Sequence, residues 1–172
     1  MTMQRKLLSL LVLMFLSVAC IEEDTPKNAS IINVGDDLPE FTVCMSDGTC
    51  VSRDSLVGHN SVIVFFNTSC ADCRHELPCV DSLYRAFSDS NEFRFICIAR
   101  DEERESIENF WEQENLAIPY SPQQGREVYN LFANSIIPRI YICSKDGVVR
   151  FAYGDSNMPS FAQLASVLTA LQ

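Results

Sequence analysis

Two cysteines separated by two residues, Cys70 and Cys73, sit in a segment whose chemistry can be read before its fold. It runs Phe65-Phe66-Asn67-Thr68-Ser69-Cys70-Ala71-Asp72-Cys73-Arg74-His75-Glu76-Leu77-Pro78. A strand ends, a short loop follows, and a C-x-x-C opens a helix. A thiol at a helix N-terminus faces unpaired N–H groups and the positive end of the dipole, and both favour its thiolate. The thiolate is the form that attacks a disulfide. Cys73, one turn further in, is placed to attack the mixed disulfide that results. By exposure, then, Cys70 is the expected nucleophile and Cys73 the resolving thiol. Asp72 adds negative charge between them, which opposes the thiolate and moves the couple toward a reductant. It also suits a first helical turn on structural grounds alone. His75 reads as a surface residue.

Such a pair needs a rigid frame, and the hydrophobic pattern supplies one. Residues 61–66 are a continuous β-branched and aromatic run, as expected of a buried central strand. Residues 71–88 read as a helix with Leu77, Val80, Leu83, Tyr84 and Phe87 at helical spacing. A second buried strand is expected over 93–99, an amphipathic helix over 103–114, and a weaker helix over 126–133. Residues 139–143 and 148–153 flank Ser144-Lys145-Asp146-Gly147 as a hairpin, and a last helix starts near Ser160, a suitable N-cap. An earlier hairpin, Phe41-Thr42-Val43-Cys44 against Cys50-Val51-Ser52, turns at Ser46-Asp47-Gly48. The pattern gives an α/β domain in three layers with an N-terminal β-hairpin.

The segment around Cys70 resembles the thioredoxin superfamily, and within it the TlpA/ResA-like membrane-anchored reductases with F-W-x-T-W-C-x-x-C-x-x-E-x-P. Phe65, Thr68, Cys70, Cys73, Glu76 and Pro78 match, while Phe66 and Ser69 replace the two tryptophans. Ser69 thereby removes an aromatic platform beside the nucleophile. Val34-Gly35-Asp36-Asp37-Leu38-Pro39-Glu40-Phe41, the loop 54–60, and Ile136-Ile137-Pro138 with Lys145-Asp146-Gly147 resemble further parts of the family pattern. The resemblance implies a thioredoxin-like fold, a central mixed β-sheet with helices on both faces, in which Pro138 follows a cis bond and the Ile137 backbone pairs with a substrate strand. It also implies that Glu76, with a pKa raised by partial burial, moves protons between the thiols. Pro78 is expected to kink the helix.

The N-terminus explains why there are eight cysteines. Arg5 and Lys6 precede an apolar run too short for a span of about 20 residues. Leu16-Ser17-Val18-Ala19-Cys20 resembles a bacterial lipobox, which implies cleavage after residue 19 and a lipid on Cys20. Residues 20–33 read as a flexible acidic tether and 34–172 as the domain. The acidic run after Cys20 resembles a surface-export signal of Bacteroidetes lipoproteins, and it serves equally as a solvated linker. Ile21 does not match the inner-membrane retention signal. Export puts the chain where disulfides persist.

The remaining thiols divide by setting. A three-residue loop sets Cys44 opposite Cys50, close enough for a disulfide that is either structural or, if exposed, labile. Cys97 and Cys143 sit in apolar strands and read as inert. Cys79 reads as core. A net charge of −10 argues against nucleic acid and leaves no basic patch for anionic lipid.

The function expected is a thiol–disulfide oxidoreductase, a reductase of extracytoplasmic protein disulfides. It would be fed by a membrane or envelope thiol donor, be monomeric, meet the membrane through its lipid alone, and need no cofactor. Two rivals share the fold. A peroxidase of the peroxiredoxin type carries P-x-x-x-T-x-x-C, but here Ile63 and Asn67 occupy the Pro and Thr positions. A copper-binding assembly protein would use C-x-x-C with a histidine, and only His59 and His75 are available.

Overall fold

The computed structural model describes residues 29–154 and 158–172. Cys20 and the leader expected over 1–19 lie outside them. Five strands form the main sheet in the order β5-β4-β3-β6-β7. They are β3 (Asn60–Phe66), β4 (Phe93–Ala99), β5 (Tyr120–Ser121), β6 (Arg139–Cys143) and β7 (Val149–Tyr153). β3 is central and buried at every position, which is why its sequence is apolar without alternation. It pairs parallel with β4 and antiparallel with β6, so the sheet is mixed.

The β3–β4 pairing is parallel and needs a crossover, supplied by α2 (Ala71–Phe87). Neighbouring residues of β3 point to opposite faces. On one face Phe66 meets Trp111 of α3 (Arg104–Glu114), while Phe95 and Phe93 meet Tyr84 and Phe87 of α2. α5 (Phe161–Ala170) packs against α2, and its start is fixed by a Ser160–Gln163 capping box. On the other face Phe65 packs on Tyr129 and Phe132 of α4 (Tyr129–Phe132), and Phe41 closes over Phe132.

A separate hairpin, β1 (Thr42–Cys44) with β2 (Cys50–Ser52), has Cys44 opposite Cys50, and the two are joined as a disulfide. Gly48 turns its tip at φ 87°, a conformation a side chain would oppose. Ser52 then caps the short α1 (Arg53–Leu56).

The structure adds to the sequence reading at three places. The helix expected over 126–133 contracts to Tyr129–Phe132, because the chain before it is drawn toward β4. Gly125 accepts from Asp101, and Gln123 exchanges backbone bonds with Glu102. The two-residue β5 was not expected, since so short a strand leaves no periodicity. Residues 29–32, expected within the tether, are bonded to the domain. Ala29 accepts from Asn134, and the N–H groups of Ile31 and Ile32 donate to Phe132. Phe132 ends α4, where helix carbonyls lack internal partners, so the passing chain satisfies it.

Candidate active site

β3 delivers the chain at Phe66 into a loop tied down by two polar side chains. Asn67 Nδ2 donates to the carbonyls of Arg100 and Asp101, and its Oδ1 accepts from the Ser69 amide and hydroxyl. The Glu102 carboxylate accepts from the Thr68 amide at 2.7 Å and from the Thr68 hydroxyl. Cys70 follows as the N-cap of α2, a 17-residue helix. No side chain caps the first turn, so its amides remain available to an anion at Cys70.

Cys70 is half-buried and Cys73 fully buried. The Cys70 sulfur lies 3.7 Å from the Ile137 carbonyl oxygen, 67 positions along the chain, and the Ile137–Pro138 bond is cis. Cys70, Cys73, Ile137 and Pro138 thus converge at the end of β3 and the start of β6. Burial pushes the Cys73 thiol far above its ordinary range, and its hydrogen bond to Cys70 adds to this. A backbone hydrogen bond from Asn67 and the Arg100 charge work the other way.

Glu76 is only 6% exposed, and its Oε1 has no hydrogen-bond partner. Desolvation raises its pKa, against the opposing influence of His75 and of a hydrogen bond with Cys79. It lines a cleft of about 420 Å³ with Asp72, His75, Cys79, Met158, Pro159 and Ser160. Cys79 was expected in the core. It is half-buried, packed against the core and lining this cleft, and burial and the neighbouring carboxylate push its thiol pKa upward. Cys97 and Cys143 are fully buried free thiols, the latter pushed up to about 12 by desolvation.

The Glu76 shift has a testable sign. Its folded pKa is raised, so its contribution to stability is present below the ordinary glutamate range and lost as pH rises through the raised value. Glu76→Gln is expected to flatten the fall in stability as pH rises past the ordinary glutamate range and to stabilise the domain at pH 7 by about 1 kcal/mol. Thermal melts of both forms between pH 4 and 8 check this, and parallel curves would refute it.

Sequence reasoning missed Arg100, Glu102 and Arg139. Arg100 follows β4, holds Asn67 through its carbonyl, and lays its guanidinium 5.3 Å from the centre of the Tyr129 ring. Arg139 is 5% exposed at the start of β6, and its guanidinium donates to the carbonyls of Ser135 and Ile136 and to the Ser30 hydroxyl. Ile136 has φ 73°, costly for a β-branched residue, and its carbonyl also accepts from Tyr129 Oη. The available signal was a lone cation bounding an apolar strand.

Among the described residues no group of three or more His, Cys, Asp or Glu side chains is arranged to hold a metal ion. His59 is engaged elsewhere, with Asn91 and Arg94. No described helix is long and apolar enough to cross a membrane.

A helix-capping dithiol facing the carbonyl before a cis-proline can exchange thiols for disulfides, and on this sheet it defines a class, the thioredoxin-fold thiol–disulfide oxidoreductases. Residues 34–152 match the model of the AhpC/TSA family, and the chain belongs to that family. A curated relative, thiol-disulfide oxidoreductase ResA of Bacillus cereus, is 25% identical over 118 residues, covering 69% of this chain and 68% of its own. A Bacteroides thetaiotaomicron protein, described as a candidate protein disulfide isomerase, superposes with a TM-score of 0.78 at 24% identity, over 84% of this chain and 92% of its own. A thiol:disulfide interchange protein from Chlorobium tepidum gives 0.69 at 22% identity, over 81% and 97%. These likenesses establish the thioredoxin-like fold. Family membership does not supply the peroxidase motif: Ile63 is core in β3, and the Asn67 side chain is spent on the loop.

Proposed function

We propose that this thiol–disulfide oxidoreductase reduces protein disulfides outside the cytoplasm, through Cys70 as nucleophile and Cys73 as resolving thiol. The observation that carries the reading is the Cys70 sulfur 3.7 Å from the Ile137 carbonyl. A substrate strand paired with the Ile137 backbone presents its disulfide to that sulfur. The Cys70 thiolate attacks one substrate sulfur, forming a mixed disulfide and releasing the other as a thiolate. Cys73 then gives up its proton and attacks Cys70. A Cys70–Cys73 disulfide forms, and the substrate leaves as a dithiol.

Burial keeps Cys73 protonated until that step, and Arg100 eases the loss of its proton. Glu76, one turn further along α2, is the carboxyl assigned to accept it. An exposed Asp72 beside the couple disfavours the reduced, anionic state and so favours electron flow toward substrate. Residues 1–19 are assigned as a lipoprotein leader, Cys20 as the lipid anchor and a membrane or envelope thiol protein as donor. These assignments rest on the sequence.

Equilibrating the chain against dithiothreitol mixtures, with Cys70→Ser as control, tests the direction. A potential near or below about −270 mV supports a reductase, and one near about −120 to −180 mV reverses the flow. Peroxide consumption faster than disulfide reduction would instead favour the peroxidase reading.

A further inference from the structure

A second cysteine pair meets far from Cys73 in sequence. Cys44 and Cys50 form a disulfide with Cα atoms 4.0 Å apart, and both residues are exposed. The remaining described thiols are less accessible, Cys97 and Cys143 fully and Cys79 partly buried. An external thiol therefore reaches the hairpin sulfurs without opening the core.

The bond does little for the fold. It spans a sequence separation of six, and closing so short a loop adds little stability. The hairpin is held by other forces. Thr42 and Val43 pair with Ser52 and Val51, and Met45 and Ser46 donate to Thr49 and Tyr120. Val43 and Met45 are buried at 2% and 3% exposure. Opening the bond leaves the two thiols facing each other in register, ready to close again. Accessible disulfides of this kind are the exchangeable ones.

The hairpin also connects to the loop that carries Cys70. Ser121 Oγ donates to the Cys44 carbonyl at 2.8 Å, and Gln123 Nε2 donates to Ser121 Oγ at 2.9 Å. Gln123 and Glu102 exchange backbone bonds of 2.7 and 3.1 Å, and the Glu102 carboxylate holds Thr68. The two cysteine pairs therefore sit at the two ends of one continuous hydrogen-bonded region.

We propose that Cys44–Cys50 is a second thiol–disulfide exchange site, reversibly opened by an external dithiol and able to hold two electrons near the Cys70 loop. A donor thiolate attacks one sulfur, a mixed disulfide forms, and the other cysteine leaves as a thiolate that takes up a proton. The donor's second thiolate then displaces the bound cysteine, which is protonated in turn. The donor ends as a disulfide, and Cys44 and Cys50 as thiols. The site is independent of whether Cys70 and Cys73 act on a protein disulfide.

The test uses the full chain carrying Cys70→Ser and Cys73→Ser, exposed to dithiothreitol mixtures of rising reducing strength. Free thiols are alkylated and read residue by residue by mass spectrometry, with amide exchange followed in parallel. Adding Cys44→Ser and Cys50→Ser sets the baseline. Cys44 and Cys50 should become alkylated together in the folded protein, with the Met45 and Ser46 amides still protected. The bond should re-form within the same molecule once the dithiothreitol is removed. A bond that opens only on unfolding overturns the proposal. So does a loss of more than about tenfold in hairpin amide protection when it opens, which would make the bond a structural staple.

Discussion

Cys70→Ser is expected to lower kcat/KM for disulfide reduction by at least about a thousandfold while leaving the fold intact, because a neutral hydroxyl replaces the sulfur proposed to attack. The half-buried position of Cys70 tolerates the smaller oxygen, so thermal stability should change little. The companion variant, Cys73→Ser, separates the two steps. It keeps the attack and loses the resolution, so a covalent adduct with a disulfide substrate should accumulate and be visible as intact mass. Retained turnover in Cys70→Ser would remove the assignment of nucleophile. An adduct on Cys73 in Cys70→Ser, with none on Cys70 in Cys73→Ser, would reverse the two roles.

Arg139→Met destabilises the domain by about 3 kcal/mol, roughly a 10 °C loss in Tm. The methionine fills the space of the aliphatic stem, so the loss reports the guanidinium. That group is buried and satisfies the Ser135 and Ile136 carbonyls and Ser30 Oγ together. Two of those acceptors lie immediately before Ile137, whose carbonyl faces Cys70, and Ile136 is held at φ 73°. Activity should therefore fall by more than stability at 25 °C accounts for. Arg139→Lys should recover little, because a single ammonium does not reproduce the planar fork. A melt within about 1 °C of wild type would show that the carbonyls find other donors.

The elements, and the dithiol carried at the start of one of them, are legible in the sequence. The run 61–66 is apolar at every position because both faces of β3 are covered, and a doubly covered strand leaves that pattern. The spacing of Leu77, Val80 and Leu83 marks the buried side of α2, and Cys70 and Cys73 lie at its start, so their relation is local and legible. The register that sets Cys44 opposite Cys50 follows from a three-residue turn.

Relations between elements came only with folding. Cys70 meets Ile137 only because β3 and β6 are neighbours, and no periodicity records which strands pair. Cys79, at the edge of the core, also lines a cleft because α5 and the residues before it arrive over α2, an arrangement set by long-range closure. Arg100, Glu102 and Arg139 act through backbone carbonyls, amides and a threonine supplied by other segments. A polar side chain carries no mark of the partner it will find, because that partner exists as a neighbour only after the chain has folded. Hydrophobic spacing is a property of single segments and survives in the sequence, whereas polar convergence is a property of the assembled domain.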